Sequence, residues 1–148
     1  MISILKTIVT KLGGVDTSQK NHIDTFTEEK INGIRGEKLA QSKNGGGIWI
    51  DFQELAGYNY LNVDIVNDKK MNNFNGCTLA FLNGNTEIVK LESDTREIES
   101  NYSNVSNRWI TEVSFDITEN NLDFLESKTA TTVKLEYKKA VEVYEIIK

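Results

Sequence analysis

Histidine and cysteine most often supply a general base, a nucleophile or a metal ligand, and this chain holds one of each, His22 and Cys77. His22 lies in a polar stretch beside Asp24, whereas Cys77 begins an apolar stretch typical of a buried strand. A catalytic dyad or triad would have to recruit His22, and the sequence lacks a Gly-x-Ser-x-Gly nucleophile motif. A zinc site built from Cys and His needs more ligands than these two residues provide. We therefore predict neither a catalytic residue nor a metal site.

Oxygen-bearing side chains are plentiful, and they raise calcium binding and acid catalysis as alternatives. Asn72–Gly76 has the polar spacing of part of an EF-hand loop, but Met71 and Leu82 would occupy the first and twelfth positions, where acids are needed. An acidic patch typical of a solvated strand edge follows: Glu92, Asp94, Glu97 and Glu99. With 22 acidic residues, composition alone favours no carboxylate pair for glycosidic hydrolysis. We expect no cofactor and keep an acid-based hydrolase as a third hypothesis.

The polar loop Ser100–Arg108, which leads into Trp109, has the composition of a recognition loop. Asn, Ser and Tyr supply adaptable hydrogen bonds beside a rigid aromatic side chain. The same composition also describes an ordinary surface loop of turn-forming residues. The candidate binding residues in this region are Asn101, Tyr102, Asn104, Arg108 and Trp109.

Residues 1–12 form a second candidate surface, because their pattern predicts an amphipathic helix that ends at Gly13–Gly14. At the helical spacing, the apolar side chains fall on one arc of about 160°. Three uses remain open: packing across the sheet, docking a protein partner or a second copy, and lying at a membrane interface. The candidate partner-binding residues here are Ile4, Leu5 and Ile8.

Composition limits the function further. A net charge of −5 argues against an electrostatic grip on nucleic acid, and no apolar run is long enough to span a membrane. Lys6 and Lys11 interrupt the one apolar N-terminal stretch, so we predict no signal peptide. A single cysteine excludes an intrachain disulfide. We therefore expect a cytoplasmic location.

Alternating apolar and polar residues predict a mainly-β protein. Trp109–Ile117 alternates without interruption, and similar patterns cover Ile48–Gln53 and Asn59–Ile65. Cys77–Leu91 has the pattern of a hairpin, in which an Asn83–Gly84 turn would place apolar partners on one face. The pairs expected in this hairpin are Phe81 with Thr86 and Leu79 with Ile88.

The C-terminal strands predict a second hairpin with a longer loop. A three-residue loop, Lys138–Ala140, pairs Tyr137 with Val141 and keeps apolar residues together. A two-residue Lys138–Lys139 turn would instead place Glu142 opposite Leu135, so parity disfavours it. One long bent strand remains an alternative, because no glycine marks the turn.

Helix signals flank these strands. Thr25 and Glu28 have the spacing of a capping box, which predicts a helical turn around Glu28–Ile31. Thr118 could cap a later short helix that carries Leu122 and Leu125 inward.

The expected fold is a single antiparallel β-sandwich or small barrel of about seven or eight strands, with an N-terminal amphipathic helix and a short helix before the last strands. One globular domain would span residues 1–148: the helix in 1–14, a polar and partly irregular stretch in 15–47, and the β core in 48–148.

The later half of the chain resembles small β-rich bacterial proteins of unknown function. The resemblance rests on the order of a hairpin (Cys77–Leu91), a Ser/Asn loop, the Trp109–Ile117 strand, a short helix (Glu119–Ser127) and closing strands. It implies a style of fold and brings no activity or site residues with it.

Three functions follow from this sequence, in order of preference. The first is a non-catalytic intracellular binding module that contacts a protein partner or a second copy through residues 1–12 or a sheet edge. The alternative is a small-ligand-binding β-barrel carrier, because barrels of about eight strands can enclose one ligand. The third is the acid-based hydrolase.

Overall fold

The computed structural model describes residues 25–147, which form nine strands and two short helices. The helices are α1 (Phe26–Asn32) and α2 (Asp123–Glu126). The strands are β1 (Glu37–Gln41), β2 (Gly47–Leu55), β3 (Tyr58–Asn67), β4 (Thr78–Asn83), β5 (Thr86–Glu92), β6 (Ser100–Ser103), β7 (Arg108–Asp116), β8 (Thr132–Tyr137) and β9 (Ala140–Ile146). The predicted mainly-β, antiparallel class is confirmed.

All nine of these strands lie in one sheet, in the order β5-β4-β8-β9-β1-β2-β3-β7-β6. The prediction of a two-sheet sandwich or a closed barrel is wrong, because this single sheet stays open and curls around its own core. Phe81 in β4 and Phe115 in β7 stand far apart in the strand order, yet both belong to the same buried cluster. The Asp94 N–H, in the segment after β5, donates to the Ser114 carbonyl of β7 at 2.7 Å.

Strict alternation gives this sheet an inner face and an outer face. In β3, Leu61, Val63 and Ile65 are at most 1% exposed on the inner face. In β7, Val113 and Phe115 are buried on the same face, as the uninterrupted pattern of Trp109–Ile117 predicts. Burial of these apolar side chains is the main source of the sheet's stability.

The first predicted hairpin exists, but its expected register is wrong. The turn residues are Gly84 and Asn85, since Asn83 pairs with Thr86. An irregularity between Phe81 and Leu82 then pairs Phe81 with Val89 and Leu79 with Leu91. An extra residue of this kind is a β-bulge, and parity counted from the turn alone does not anticipate it.

The C-terminal hairpin uses the two-residue Lys138–Lys139 turn that parity disfavours. Tyr137 pairs with Ala140 and Leu135 with Glu142, so the predicted three-residue loop is wrong. Lys138 adopts a φ of 54°, a left-handed conformation that is uncommon for a residue other than glycine. Glu142 therefore lies on the inner face, while Val141 and Val143 are more than half exposed on the outer face.

Helix α1 packs on the outer face of the sheet, where Ile31 contacts the cluster formed by Val66 and Ile110. The helical turn predicted around Glu28–Ile31 is confirmed, but the capping box is wrong. Thr25 makes no side-chain cap bond, and the Glu28 carboxylate accepts hydrogen bonds from the Ser103 and Ser106 hydroxyls instead. The helix predicted in residues 1–14 lies outside the described residues.

Helix α2 is a single turn that packs on the inner face, with the Phe124 ring 5.2 Å from the Phe81 ring. Leu122 and Leu125 pack against the core, as predicted. The Thr118 cap is wrong, because Leu122 occupies the N-cap position and the Thr118 hydroxyl donates to Asp116 at 2.7 Å.

Strand β1 joins two blocks of the sheet, β5-β4-β8-β9 on one side and β2-β3-β7-β6 on the other. Its ladder to β9 contains two residue pairs, Ala40 with Ile146 and Gln41 with Glu145. The sheet thus begins at Glu37, ahead of the β core expected in residues 48–148.

Candidate functional site

A cleft of about 730 Å³ opens at one end of the inner face, and we call it the end cleft. It lies between β1, the outer half of β2, the segment after β7, α2 and the end of β9. Apolar side chains form much of its wall: Leu39, Ile50, Ile117, Leu122, Leu125 and Ile146. Leu122 and Leu125 reach the cleft because the single turn of α2 carries both of them against the core.

The mouth of the end cleft is more polar and carries one large exposed aromatic side chain. Phe52 lines the cleft and is 56% exposed. Among the lining residues, four are acidic and two are lysines: Glu37, Glu54, Asp123, Glu126, Lys38 and Lys128. A cleft of this size with apolar walls and a polar mouth has the general form of a ligand-binding site.

One wall of the end cleft is a half-covered strand. Strand β1 pairs with β2 only as far as Ile50, so in the described part of the chain no strand pairs with the outer edge of residues 51–55. Strand β3 pairs with all of β2 on the other side, ending at Leu55 and Tyr58 around the Ala56–Gly57 turn. The end cleft therefore contains both apolar side chains and a backbone edge.

A second cavity of about 520 Å³ lies on the outer face beside α1, and we call it the acidic groove. Asp64 in β3 pairs directly with Glu112 in β7, and both line the groove. Burial, and then the neighbouring Glu112 carboxylate, raises the pKa of Asp64 to about 6. Lys30 in α1 forms an ion pair with Glu112 at 3.0 Å and opposes this shift.

The acidic groove bears on the hydrolase hypothesis, which requires two acids with perturbed pKa values in one cleft. Asp64 meets this requirement, being about half buried with a raised pKa. The Glu112 side chain is 61% exposed and is already engaged by Lys30. The groove thus brings one partly buried acid beside an exposed acid that is paired with a lysine.

The predicted recognition loop forms hydrogen bonds and ring contacts within itself. The Tyr102 ring lies 4.9 Å from the Trp109 ring, and the Tyr102 hydroxyl donates to Asn107 Oδ1 at 2.8 Å. Asn101 and Asn104 are exposed at the surface. This region lies away from the end cleft, so the structure does not bring the predicted residues into that site.

Glu28 fastens this loop to α1. The hydroxyls of Ser103 and Ser106 each donate to Glu28 Oε1 at 2.6 Å, and the Arg108 guanidinium lies 3.8 Å from Oε2. These hydrogen bonds, led by the one from Ser103, lower the pKa of Glu28. Arg108, which we predicted to bind a partner, therefore contacts Glu28 within the protein. The other predicted binding residues, Ile4, Leu5 and Ile8, lie outside the described residues.

At the opposite end of the inner face a polar cluster closes the core, and we call it the closed end. The hydroxyls of Tyr137 and Tyr144 each donate to the Glu142 carboxylate at 2.6 Å, and Asn67 Nδ2 donates to it at 3.1 Å. Burial, followed by the Glu142 carboxylate, raises the pKa of both tyrosines. Asn67 Oδ1 is buried without a hydrogen-bond partner among the described residues.

Among residues 25–147, the remaining chemistry-bearing residues give no further site. Cys77 is buried, and burial raises its pKa to about 12, so its thiol stays protonated. Within residues 25–147, no three His, Cys, Asp or Glu side chains gather as a metal site would require. Neither helix of that range has the length and apolar character needed to cross a bilayer.

Sequence reasoning missed the end cleft because its walls come from five separate stretches of chain. Inward-facing Leu122 and Leu125 were predicted, but not the partners across from them. One local signal was available: Phe52 ends the alternating pattern of Ile48 and Ile50 just before the Ala56–Gly57 turn, which places an apolar side chain at the end of the sheet.

Comparison of the chain with protein-family models, with curated proteins and with solved structures finds no match in any of the three.

Proposed function

We propose that the protein is a non-catalytic binding module and that the end cleft is its recognition site. The observation that carries this proposal is the form of the cleft, about 730 Å³ with apolar walls and a polar mouth. Ligand sites in proteins typically enclose a few hundred to about 1,000 Å³ and combine apolar walls with a few polar groups.

Apolar contact would supply the affinity of this site. Leu39, Leu122 and Leu125 are partly buried against the core, so a ligand that covers them removes further apolar surface from water. Each Å² of apolar surface removed from water is worth roughly 25 cal/mol before the costs of association. The polar mouth would orient the ligand and exclude less complementary molecules.

The test measures binding of N-phenyl-1-naphthylamine, a neutral apolar fluorophore, to the full chain. Phe52→Asp places a charge in the cleft, and we expect it to weaken binding at least tenfold, which is about 1.4 kcal/mol. Val143→Asp is the matched control, since Val143 is 52% exposed on the outer face of β9, away from the cleft. Equal loss in both variants, or no binding to the unaltered chain, would contradict the proposal.

A small-ligand carrier is the second candidate, and the volume and apolar walls of the end cleft favour it. In that case an organic extract of the purified protein should contain one bound molecule by mass spectrometry. Contact with a protein partner or a second copy through residues 1–12, and a cytoplasmic location, stay predictions from the sequence.

A further inference from the structure

The outer half of β2 carries backbone groups that no strand of the described chain pairs with. Around a two-residue turn such as Ala56–Gly57, the flanking pair Leu55–Tyr58 is hydrogen-bonded, and bonded pairs then alternate along the hairpin. Residues 53 and 51 therefore bond to β3, whereas the N–H and C=O groups of Phe52 and Glu54 point away from β3. The Asn59 carbonyl supports this alternation, because it accepts from the Ile117 N–H on the β7 side.

Strand β1 shows that this edge of β2 accepts an antiparallel strand, because β1 already pairs with the inner half of β2. Glu37 pairs with Ile50 and Ala40 with Ile48, and the chain then departs at Gly36. A Cβ on Gly36 would lie 2.5 Å from the Ile50 carbonyl oxygen, so the chain leaves in close contact with the edge. The backbone N–H and C=O groups of Phe52 and Glu54 thus continue the edge beyond β1, and no strand of the described chain pairs with them.

Proteins usually protect exposed strand edges with charged side chains, especially lysine, with proline or with a very short strand. The two terminal strands of the sheet are protected: β5 carries Lys90 and a register irregularity, and β6 has four residues. By contrast, residues 51–55 contain neither lysine nor proline and pair regularly with β3. This stretch, whose protection is limited to the charges of Asp51 and Glu54, is the one that borders an apolar cleft.

We propose that the end cleft binds an extended peptide of a partner protein, which adds a strand to the β2 edge at Phe52 and Glu54. This inference rests on the proposed binding function and names its partner. The peptide would continue the line of β1 and form up to four backbone hydrogen bonds. Its alternate side chains would enter the cleft between β2 and α2, where Leu122 and Leu125 lie.

The charges of the cleft define the peptide further. Four acidic side chains and two lysines line the site, and Glu54 lies on the edge itself. A peptide with small apolar residues at alternate positions and a basic residue at each end, where a long side chain reaches the rim, complements both the walls and the rim. Acidic peptides would meet like charge at Glu54.

The test uses the full chain and the peptide acetyl-Lys-Val-Thr-Val-Lys-amide, followed by amide hydrogen exchange with NMR detection. We expect saturating peptide to slow exchange at the Phe52 and Glu54 amides at least tenfold. The Asp51 and Gln53 amides should change little, because they already donate to β3. The control is the same peptide with both valine nitrogens methylated, which keeps the side chains and removes the donors that pair with β2. It should produce no such slowing.

Three results would overturn the inference. If N-phenyl-1-naphthylamine binds the cleft but the peptide does not slow the two amides, the binding function stands and strand addition fails. If both amides exchange slowly without peptide, another part of this chain already occupies the edge. If neither probe nor peptide binds, the proposed function fails as well.

Discussion

The two ends of the inner face differ in how the core is shielded from water. At the closed end, Glu142 satisfies the hydroxyls of Tyr137 and Tyr144 and an amide donor of Asn67, so polar side chains seal the core from within. At the end cleft, β1 stops pairing with β2 at Ile50, and the single turn of α2 covers only part of the apolar wall. The hydrogen-bond donors of the closed end already have an acceptor and so offer little to a ligand. The end cleft offers exposed apolar walls beside a backbone edge.

Glu142→Ala should break the closed end and gives the largest expected effect. It leaves the nearly buried hydroxyls of Tyr137 and Tyr144 without their acceptor, so we expect a loss of about 3 kcal/mol in the free energy of unfolding. Urea denaturation followed by tryptophan fluorescence measures this loss. Glu145→Ala, at an exposed position of the same strand, should change stability by less than about 0.5 kcal/mol. Similar losses in the two variants would show that the cluster does not hold this end together.

Phe124→Ala should open the other end further. Phe124 is 9% exposed and packs on Phe81, so its removal should cost about 2 kcal/mol, less than is usual for a buried phenylalanine because the cleft beside it leaves room to relax. We also expect weaker binding of N-phenyl-1-naphthylamine, because Phe124 lines the cleft. Phe74→Ala is the control, since Phe74 is 77% exposed and should contribute little to stability. Unchanged fluorophore affinity in Phe124→Ala would show that α2 does not contribute to the binding site.

Asp64→Asn tests the acidic groove through the pH dependence of stability. Because the folded-state pKa of Asp64 is raised to about 6, the folded protein binds its proton more tightly than the unfolded chain. Wild-type stability should therefore fall as pH rises from about 4 to about 6, and the full penalty is present above that window. The variant lacks the penalty and should be more stable at pH 7.5 by about 1 kcal/mol, a value reduced for the half-exposed position of the carboxyl. Urea denaturation of both proteins at pH 3.5 and pH 7.5 measures it.

Asp116 provides the control of opposite sign for this measurement. Hydrogen bonds from Thr118 lower the pKa of Asp116, so its contribution is present at neutral pH and is lost as pH falls through the folded-state value. Asp116→Asn should therefore reduce stability at pH 7.5. A gain at neutral pH in both variants would indicate general charge repulsion and not the burial of Asp64.

Ala56→Asn gives the smallest effect and leaves both ends intact. Ala56 has a φ of 54° and Gly57 a φ of 85°, a left-handed pair that Asn-Gly adopts more readily than Ala-Gly. We expect the variant to gain about 0.5 kcal/mol, measured as a higher midpoint of thermal unfolding. Ala56→Val should instead lose stability, since a β-branched side chain tolerates positive φ poorly.

The mainly-β fold was predictable because burial on one face imposes a period of two, as in Trp109–Ile117. The registers were not. Parity placed Glu142 away from the core, since a carboxylate there is normally costly. Tyr137 and Tyr144 remove that cost by donating to it, and a pattern of apolar and polar letters does not represent such a network. The bulge between Phe81 and Leu82 was not predicted either, because parity counted from the turn assumes an unbroken ladder.

The site was less predictable than the fold. From its composition we predicted a recognition loop at Tyr102, Arg108 and Trp109, where polar and aromatic residues concentrate. The structure uses those groups to hold the loop and α1 together through Glu28. The end cleft combines residues from both ends of the described chain, such as Leu39 and Ile146, and their proximity follows from strand order. Strand order depends on long-range pairing that local patterns do not encode.

The short ladder between β1 and β9 is a weak point in the backbone hydrogen bonding of the sheet, although side chains of both blocks share one core. With two residue pairs, this ladder is the thinnest connection between the two blocks of the sheet. Its partners come from opposite ends of the described sequence, so forming it closes a loop that contains both blocks, which is entropically costly and typically late in folding. We therefore expect this ladder to open locally at a free energy below that of global unfolding. Because Leu39 and Ile146 lie at this junction and also line the end cleft, a ligand held there would bridge the two blocks and stabilise the junction.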